Sequence, residues 1–261
     1  MDSCMFSRQA VSFTVEKNNG LWPAEDIFAA RQGKRRVSMR AKQKMKIAVD
    51  ILMTLALLLL MPYEMIGEAA HEWIGIVMFL LFITHHVLNR KRTGNLLRGR
   101  YTPLREVQTI LVVLILNGML GSMISGIILS RHVFSFLNIR GFSMVARTVH
   151  MTCAYWGFVL MSLHLGLHWG IPVGMAGRLF ARPSAARTWI ARLAALAVAA
   201  YGVYAFVKRG IPGYLLMQVH FVFFDYEEPV ILFILDYVAA MGFFVFLGYY
   251  LSMVLKKWKK R

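Results

Sequence analysis

The chain alternates long apolar runs with short polar or basic connectors, and the length of the runs predicts helices that cross a bilayer. A crossing helix needs ~20 mostly apolar residues to span about 30 Å of hydrocarbon. Six segments qualify: 46–66, 71–89, 107–130, 145–169, 189–207 and 229–254. The fifth is built mainly of Ala and is the weakest of the set. In hydrocarbon every backbone polar group has to be satisfied internally, which makes helices the reading for runs this long. The expected fold class is an all-α integral membrane protein, a bundle of about six transmembrane helices. A basic, disordered tail is expected over 1–44, the transmembrane domain over 45–254 and a second basic tail over 255–261. The segment from Gly210 to Pro229 is apolar and then acidic, ending in Asp225-Tyr226-Glu227-Glu228. It is expected either to lie along the interface or to fold back over the bundle.

Composition agrees with the pattern. Hydrophobic residues make up 58% of the 261 and charged residues only 16%, where a soluble domain has about 25% charged. A net charge of +17 could suit nucleic acid or an anionic membrane surface, and its distribution decides between them. With the six spans in place, the connectors on one side (31–46, 90–105, 178–192 and 256–261) hold 23 Lys and Arg. Those on the other (63–70, 131–147 and 208–228) hold 5. The basic side is cytoplasmic by the positive-inside rule, so both termini are expected in the cytoplasm and no nucleic-acid partner is needed. The first 45 residues show no secretory-signal pattern. Neither GxGxxG nor GxxxxGK[ST] occurs, so no nucleotide-binding domain is expected. Cys4 lies in the tail and Cys153 in a span; with no CxxCH, covalent c-type haem is excluded.

The candidate chemistry lies in the histidines. Six of the eight fall on two spans: His71, His85 and His86 on the second, and His150, His164 and His168 on the fourth. Ionisable or strongly polar groups inside membrane helices are costly, and their default reading is functional. Both 71 to 85 and 150 to 164 are 14-residue steps, which return to within roughly 40° of the same face after a rise of about 21 Å. In the charge-derived topology both spans run inward, so His71 and His150 share the outer depth, and His85 and His164 share the inner one. Two imidazole pairs at matched depths suit two stacked bis-histidine haems. Single histidines of this kind are as often packed or interfacial as ligating; the equal spacing of two pairs favours ligation. His86 points about 60° away from His71 and is an alternative inner ligand or a nearby polar group. His168 lies on the face of His150, about 27 Å along, as a propionate partner or alternative inner ligand. His132 and His220 are read as surface residues.

Other features are weaker. HEWIG at 71–75 starts like the zinc-protease HExxH, but Gly75 stands where the second ligand belongs and that reading fails. Gly118, Gly121 and Gly126 on the third span suit close helix packing at least as well as a haem-facing groove. Arg140 and Arg147 could neutralise propionates or contact headgroups. Asp50 and Asp236 sit near span ends, where a solvated position, proton handling or a quinol site are the options.

KIAVDILMTLALLLLMPYEMIGEAAHEWIGIVMFLLFITHHVLN resembles the opening of the bacterial flavinylation-associated cytochrome domain, and FVFFDYEEPVILFILDYVAAMGFFVFLGYYL resembles its end. The likeness covers about residues 46–253. It implies a multi-pass b-type cytochrome of the bacterial cytoplasmic membrane carrying two non-covalent haems, with His71, His85, His150 and His164 as ligands. It also implies electron relay to an extracytoplasmic flavoprotein, from a cytoplasmic donor or a membrane quinol. Two rival readings remain: a quinol-oxidising or ferric-reducing membrane subunit, and a haem-free transporter whose histidines relay ions or protons.

Overall fold

Apolar runs bounded by Pro, Gly and capping residues become helices throughout. A computed structural model describes residues 15–17, 20–22, 24–95, 102–139, 141–177, 184–219 and 221–258. The chain divides into two units, 1–50 and 51–261. The first contains a short antiparallel hairpin, β1 (Val15–Lys17) and β2 (Gly20–Trp22), with Val15 opposite Trp22, and the start of α1 (Ala24–Leu60). Among its described residues the second has helices joined by loops and no strand. It holds the end of α1, then α2 (Tyr63–Ile66), α3 (Glu68–Gly94), α4 (Pro103–Leu129), α5 (Ser143–His168), α6 (Gly170–Gly177), α7 (Ala185–Lys208), α8 (Ile211–Leu215) and α9 (Val230–Trp258).

Four of these helices, α3, α4, α7 and α9, are long and apolar enough to cross a membrane. The pair α5 and α6, bent by 45°, makes a fifth if it acts as one span. The expected first span, 46–66, is cut short. A residue preceding proline is pushed out of helical geometry, so α1 ends at Leu60, one residue before the Met61-Pro62 step, and Asp50 on it is exposed. The other starts follow local chemistry. Thr102 caps α4 by accepting from the Arg105 N–H, with Pro103 in the first turn, and Ser184 caps α7 in the same way from Arg187.

Lipid is as apolar as Leu, so helices in a membrane are held by close packing more than by hydrophobic burial. The tightest crossings accordingly run through glycine. On α5 and α9, a Cβ on Gly166 would strike the Val245 carbonyl, and one on Gly248 the Leu163 carbonyl; on α7, one on Gly202 would strike the Ala239 carbonyl. Phe158, Ala205 and Ala240 are fully buried between these helices, and Tyr237 nearly so. Many large apolar side chains, Leu80, Ile124, Ile190 and Val207 among them, point outward instead, as a lipid-facing surface requires.

The 210–229 segment folds back over the bundle. Gly210 takes a left-handed turn (φ 63°) into α8, a conformation that costs glycine nothing. Ile211 is then fully buried, Tyr214 stacks on Tyr155 with ring centroids 4.4 Å apart, and the Trp156 indole donates to the Leu215 carbonyl. Phe224 packs edge-on against Tyr63 and tilted against Phe233.

Candidate functional site

His71 stands in the first turn of α3 and His150 in the second turn of α5, and their rings come together. The centroids are 6.1 Å apart and the planes are inclined by 68°. His150 is held by α4. Its Nδ1 lies 3.0 Å from the Ser122 carbonyl oxygen and 3.2 Å from the Ser125 hydroxyl. A carbonyl can only accept, so Nδ1 carries the proton and Nε2 is left with its lone pair. Metal-bound histidines commonly have this arrangement, because the outer hydrogen bond fixes both tautomer and ring orientation. Gly126 makes room for the ring: a Cβ there would sit 3.4 Å from His150 Cε1. Gly118 and Gly121 face Cys153 in the same contact, so the glycines of the third predicted span serve helix packing and, at Gly126, the seating of a histidine.

His71 has no such tether. It interacts with the Leu60 carbonyl and meets the edge of Tyr63 at 5.7 Å, but its buried Nδ1 makes no hydrogen bond of normal geometry. One turn further along α3, Gly75 has open space where a Cβ would be. The two imidazoles thus meet edge to face, with open space at Gly75 one turn from His71. A metal ion bonded at ~2 Å to one nitrogen of each ring fits that separation. Among the described residues no group of three or more His, Cys, Asp and Glu could hold a metal, so the pair lacks the three or four protein ligands of a zinc site. The two imidazoles therefore offer two nitrogen donors at this point of the fold.

The other predicted residues fall elsewhere. His85 lies beside His86, with ring centroids 5.5 Å apart, and His164 lies beside His168 at 4.9 Å. His86 resembles His150 in that its Nδ1 donates to a backbone carbonyl, Phe82, at 3.0 Å. The Nε2 of His85 instead lies 3.4 Å from the Asn89 amide nitrogen. Arg147 is exposed one turn before His150. His132 is exposed on the loop after α4, 3.9 Å from Glu68. Arg140 and His220 lie outside the described residues.

The sequence reading gave Glu72 no role and left that of Asp236 open. Glu72, the residue after His71, accepts hydrogen bonds from the loop that follows α4, some sixty residues away. Asp236 is almost fully buried on α9 and accepts from the Tyr201 hydroxyl at 2.7 Å, Lys208 Nζ at 2.8 Å and Arg209 Nε at 2.8 Å. Arg209 also forks onto Glu228 through two 2.6 Å bonds and lies over the Phe233 ring. The guanidinium holds the Glu228 carboxyl below its ordinary range, against the opposing effect of burial. An acid inside an apolar helix has to find partners, and that was the available signal for both carboxylates. The partners themselves are set by the tertiary fold.

Compared with family models, curated proteins and solved structures, the chain matches none. Its class is that of a helical membrane protein, with one histidine pair assembled where three helices meet.

Proposed function

We propose that this protein is a dihaem b-type cytochrome of the bacterial cytoplasmic membrane that relays electrons across the bilayer. One observation carries the reading: His71 and His150, far apart in sequence and expected as partners from their spacing, face each other at 6.1 Å, with the Nδ1 of one tied to a backbone carbonyl. His71 and His150 would hold one haem. His164 with His85, or with the adjacent His86, would hold the second. The haems would supply one-electron redox chemistry. The chain's own residues would orient the ligating rings, exclude water and set the local polarity. Arg147 and His168 are the groups assigned to the propionates. α1 completes a six-span topology with both termini in the cytoplasm, on the basic side of the charge distribution. An extracytoplasmic flavoprotein is the proposed acceptor, and a cytoplasmic protein or membrane quinol the proposed donor.

A dithionite-reduced minus oxidised spectrum of the purified chain, with a pyridine haemochrome assay, tests the reading. A b-type spectrum and about two haems per chain are expected. His71→Ala and His150→Ala should each remove the same one of the two. A chain purified from haem-replete cells without haem would overturn the proposal. If each variant kept both haems, the assignment of this pair would fail.

A further inference from the structure

The residue after His71 ties α3 to the loop that follows α4. One Glu72 carboxylate oxygen accepts from the Arg131 N–H at 2.8 Å; the other accepts from the Val133 N–H at 2.8 Å and the Ser130 hydroxyl at 2.6 Å. The His132 N–H lies within 3.3 Å of both. The carboxylate is thus seated in three consecutive backbone N–H groups at the exit of α4, and charge-assisted bonds of this kind are about twice as strong as neutral ones. The other tie at this end, Arg131 to Glu68, is exposed on both sides, where an ion pair contributes little.

The geometry of α3 makes this grip consequential. Only 11% of its most apolar stretch is buried in protein, and it packs sparsely on α4. Side-chain packing along α3 therefore does little to fix the helix itself, and at His71 the neighbouring rings are Tyr63 and His150. α4, by contrast, is the helix that holds His150, through the Ser122 carbonyl, Ser125 and the gap at Gly126. Ser130 caps α4 one turn after Gly126. A tie from Glu72 to Ser130 and the next three residues therefore references His71 to the same rigid helix that references His150. We infer that Glu72 is a positioning residue: its grip on the α4 exit holds His71 opposite His150.

The positional part of this inference stands on geometry alone; its spectroscopic consequence rests on the haem reading. Two experiments on the full-length chain in native membranes separate them. The first uses a Cys4→Ser, Cys153→Ser background with His71→Cys and His150→Cys added, joined by a short bifunctional thiol reagent. Glu72→Ala should lower the cross-linking yield severalfold. Glu72→Gln keeps the shape but turns an NH2 group toward backbone donors, so it should lower the yield less. Native yield in the Ala chain overturns the inference. If the Ala chain fails to accumulate, the Gln chain decides by the same criterion: a reduced yield supports the inference and a native yield overturns it.

The second experiment keeps all the histidines and reads the ferric EPR signals and the reduction potential of each haem. Glu72→Ala should shift the signal and potential of the His71–His150 haem and weaken its binding by about 10-fold or more, with partial recovery in Glu72→Gln and no change in the other haem. Unaltered signals in the Ala chain contradict the inference. A native chain without haem sinks the cytochrome reading, and the cross-linking yields then decide the positional inference by themselves.

Discussion

α9 and α3 are apolar helices of 29 and 27 residues, yet 44% of the most apolar stretch of α9 is buried in protein and only 11% of that of α3. α9 crosses α5 and α7 through glycines and buries Tyr237, Ala240 and Asp236 among them. It carries no histidine. α3 carries three, packs sparsely, and is tied to the bundle by a carboxylate. The comparison separates two tasks. In lipid, stability comes from close backbone approach, and the helices that achieve it leave no space between them. α3 meets little of the bundle, so polar ties take a larger part in its position, and much of its apolar surface lies outside the protein core.

Adding a side chain to a glycine on each helix contact should break this comparison most visibly. Gly202→Leu places a Cβ against the Ala239 carbonyl where α7 meets α9. Overpacking against backbone cannot be relieved by a rotamer change, so a loss of more than about 3 kcal/mol is expected. Size-exclusion chromatography and thermal unfolding in detergent should show little folded chain. Gly75→Leu puts the same bulk into open space on α3. Leu is a better helix former than Gly by about 1 kcal/mol, so the melting temperature should hold or rise slightly. Under the cytochrome reading, the same variant should lose the haem beside His71. A Gly75→Leu chain with native haem content would show that this space is not where the group sits.

The buried acid on α9 comes next in size. Asp236→Ala removes the common acceptor of Lys208, Arg209 and Tyr201, leaving the partly buried Arg209 with Glu228 as its remaining carboxylate. Arg209 keeps Glu228 and Lys208 reaches solvent, so the cost should be about 1–3 kcal/mol for the lost charge-assisted hydrogen bonds, below that of a buried charge left alone. Thermal unfolding should show that loss and, under the cytochrome reading, haem content per folded chain should be unchanged. A loss of haem in proportion to the loss of stability would mean that the packed half and the histidine half are coupled more tightly than the comparison holds.

These differences also mark what the sequence could disclose. Hydrophobic run length located α3, α4, α5, α7 and α9 to within a few residues, because crossing a bilayer imposes a length on the pattern itself. Equal 14-residue spacing paired His71 with His150 and His85 with His164 through helical periodicity; the structure brings the first two rings to 6.1 Å, and shows His85 beside His86 and His164 beside His168. The end of α1 at Leu60 was also readable, through Pro62, but an apolar run that continues to 66 hid it. The grip of Glu72 on 130–133 and the convergence of Tyr201, Lys208, Arg209 and Glu228 around Asp236 had no such signature. Such contacts join residues many turns apart on different helices, and no local periodicity encodes which donors an acid will find. The HEWIG stretch, set aside as a zinc site because Gly75 replaces the second ligand, gave no hint that its Glu would be seated in backbone N–H groups.

The smallest expected effect concerns the rim of the packed half. Glu228 lies outside the spanning helices, and Arg209 holds its carboxyl below the ordinary value of 4.5. A carboxyl depressed by folding adds stability that is fully present above the unfolded value and is lost as pH falls through the folded one. The Arg209–Glu228 pair should therefore support the chain at neutral pH, weaken as pH drops below about 4.5, and contribute nothing once Glu228 is protonated. In detergent, the native chain should melt above Glu228→Gln at pH 7, and the two curves should converge on acidification. Since Glu228 keeps some solvent contact, the gap at pH 7 should be smaller than that produced by Asp236→Ala. A gap that does not shrink on acidification would assign the contribution of Glu228 to packing around Phe233 rather than to its charge, and the charged contribution at the α7–α9 rim would then lie with Asp236 and its partners.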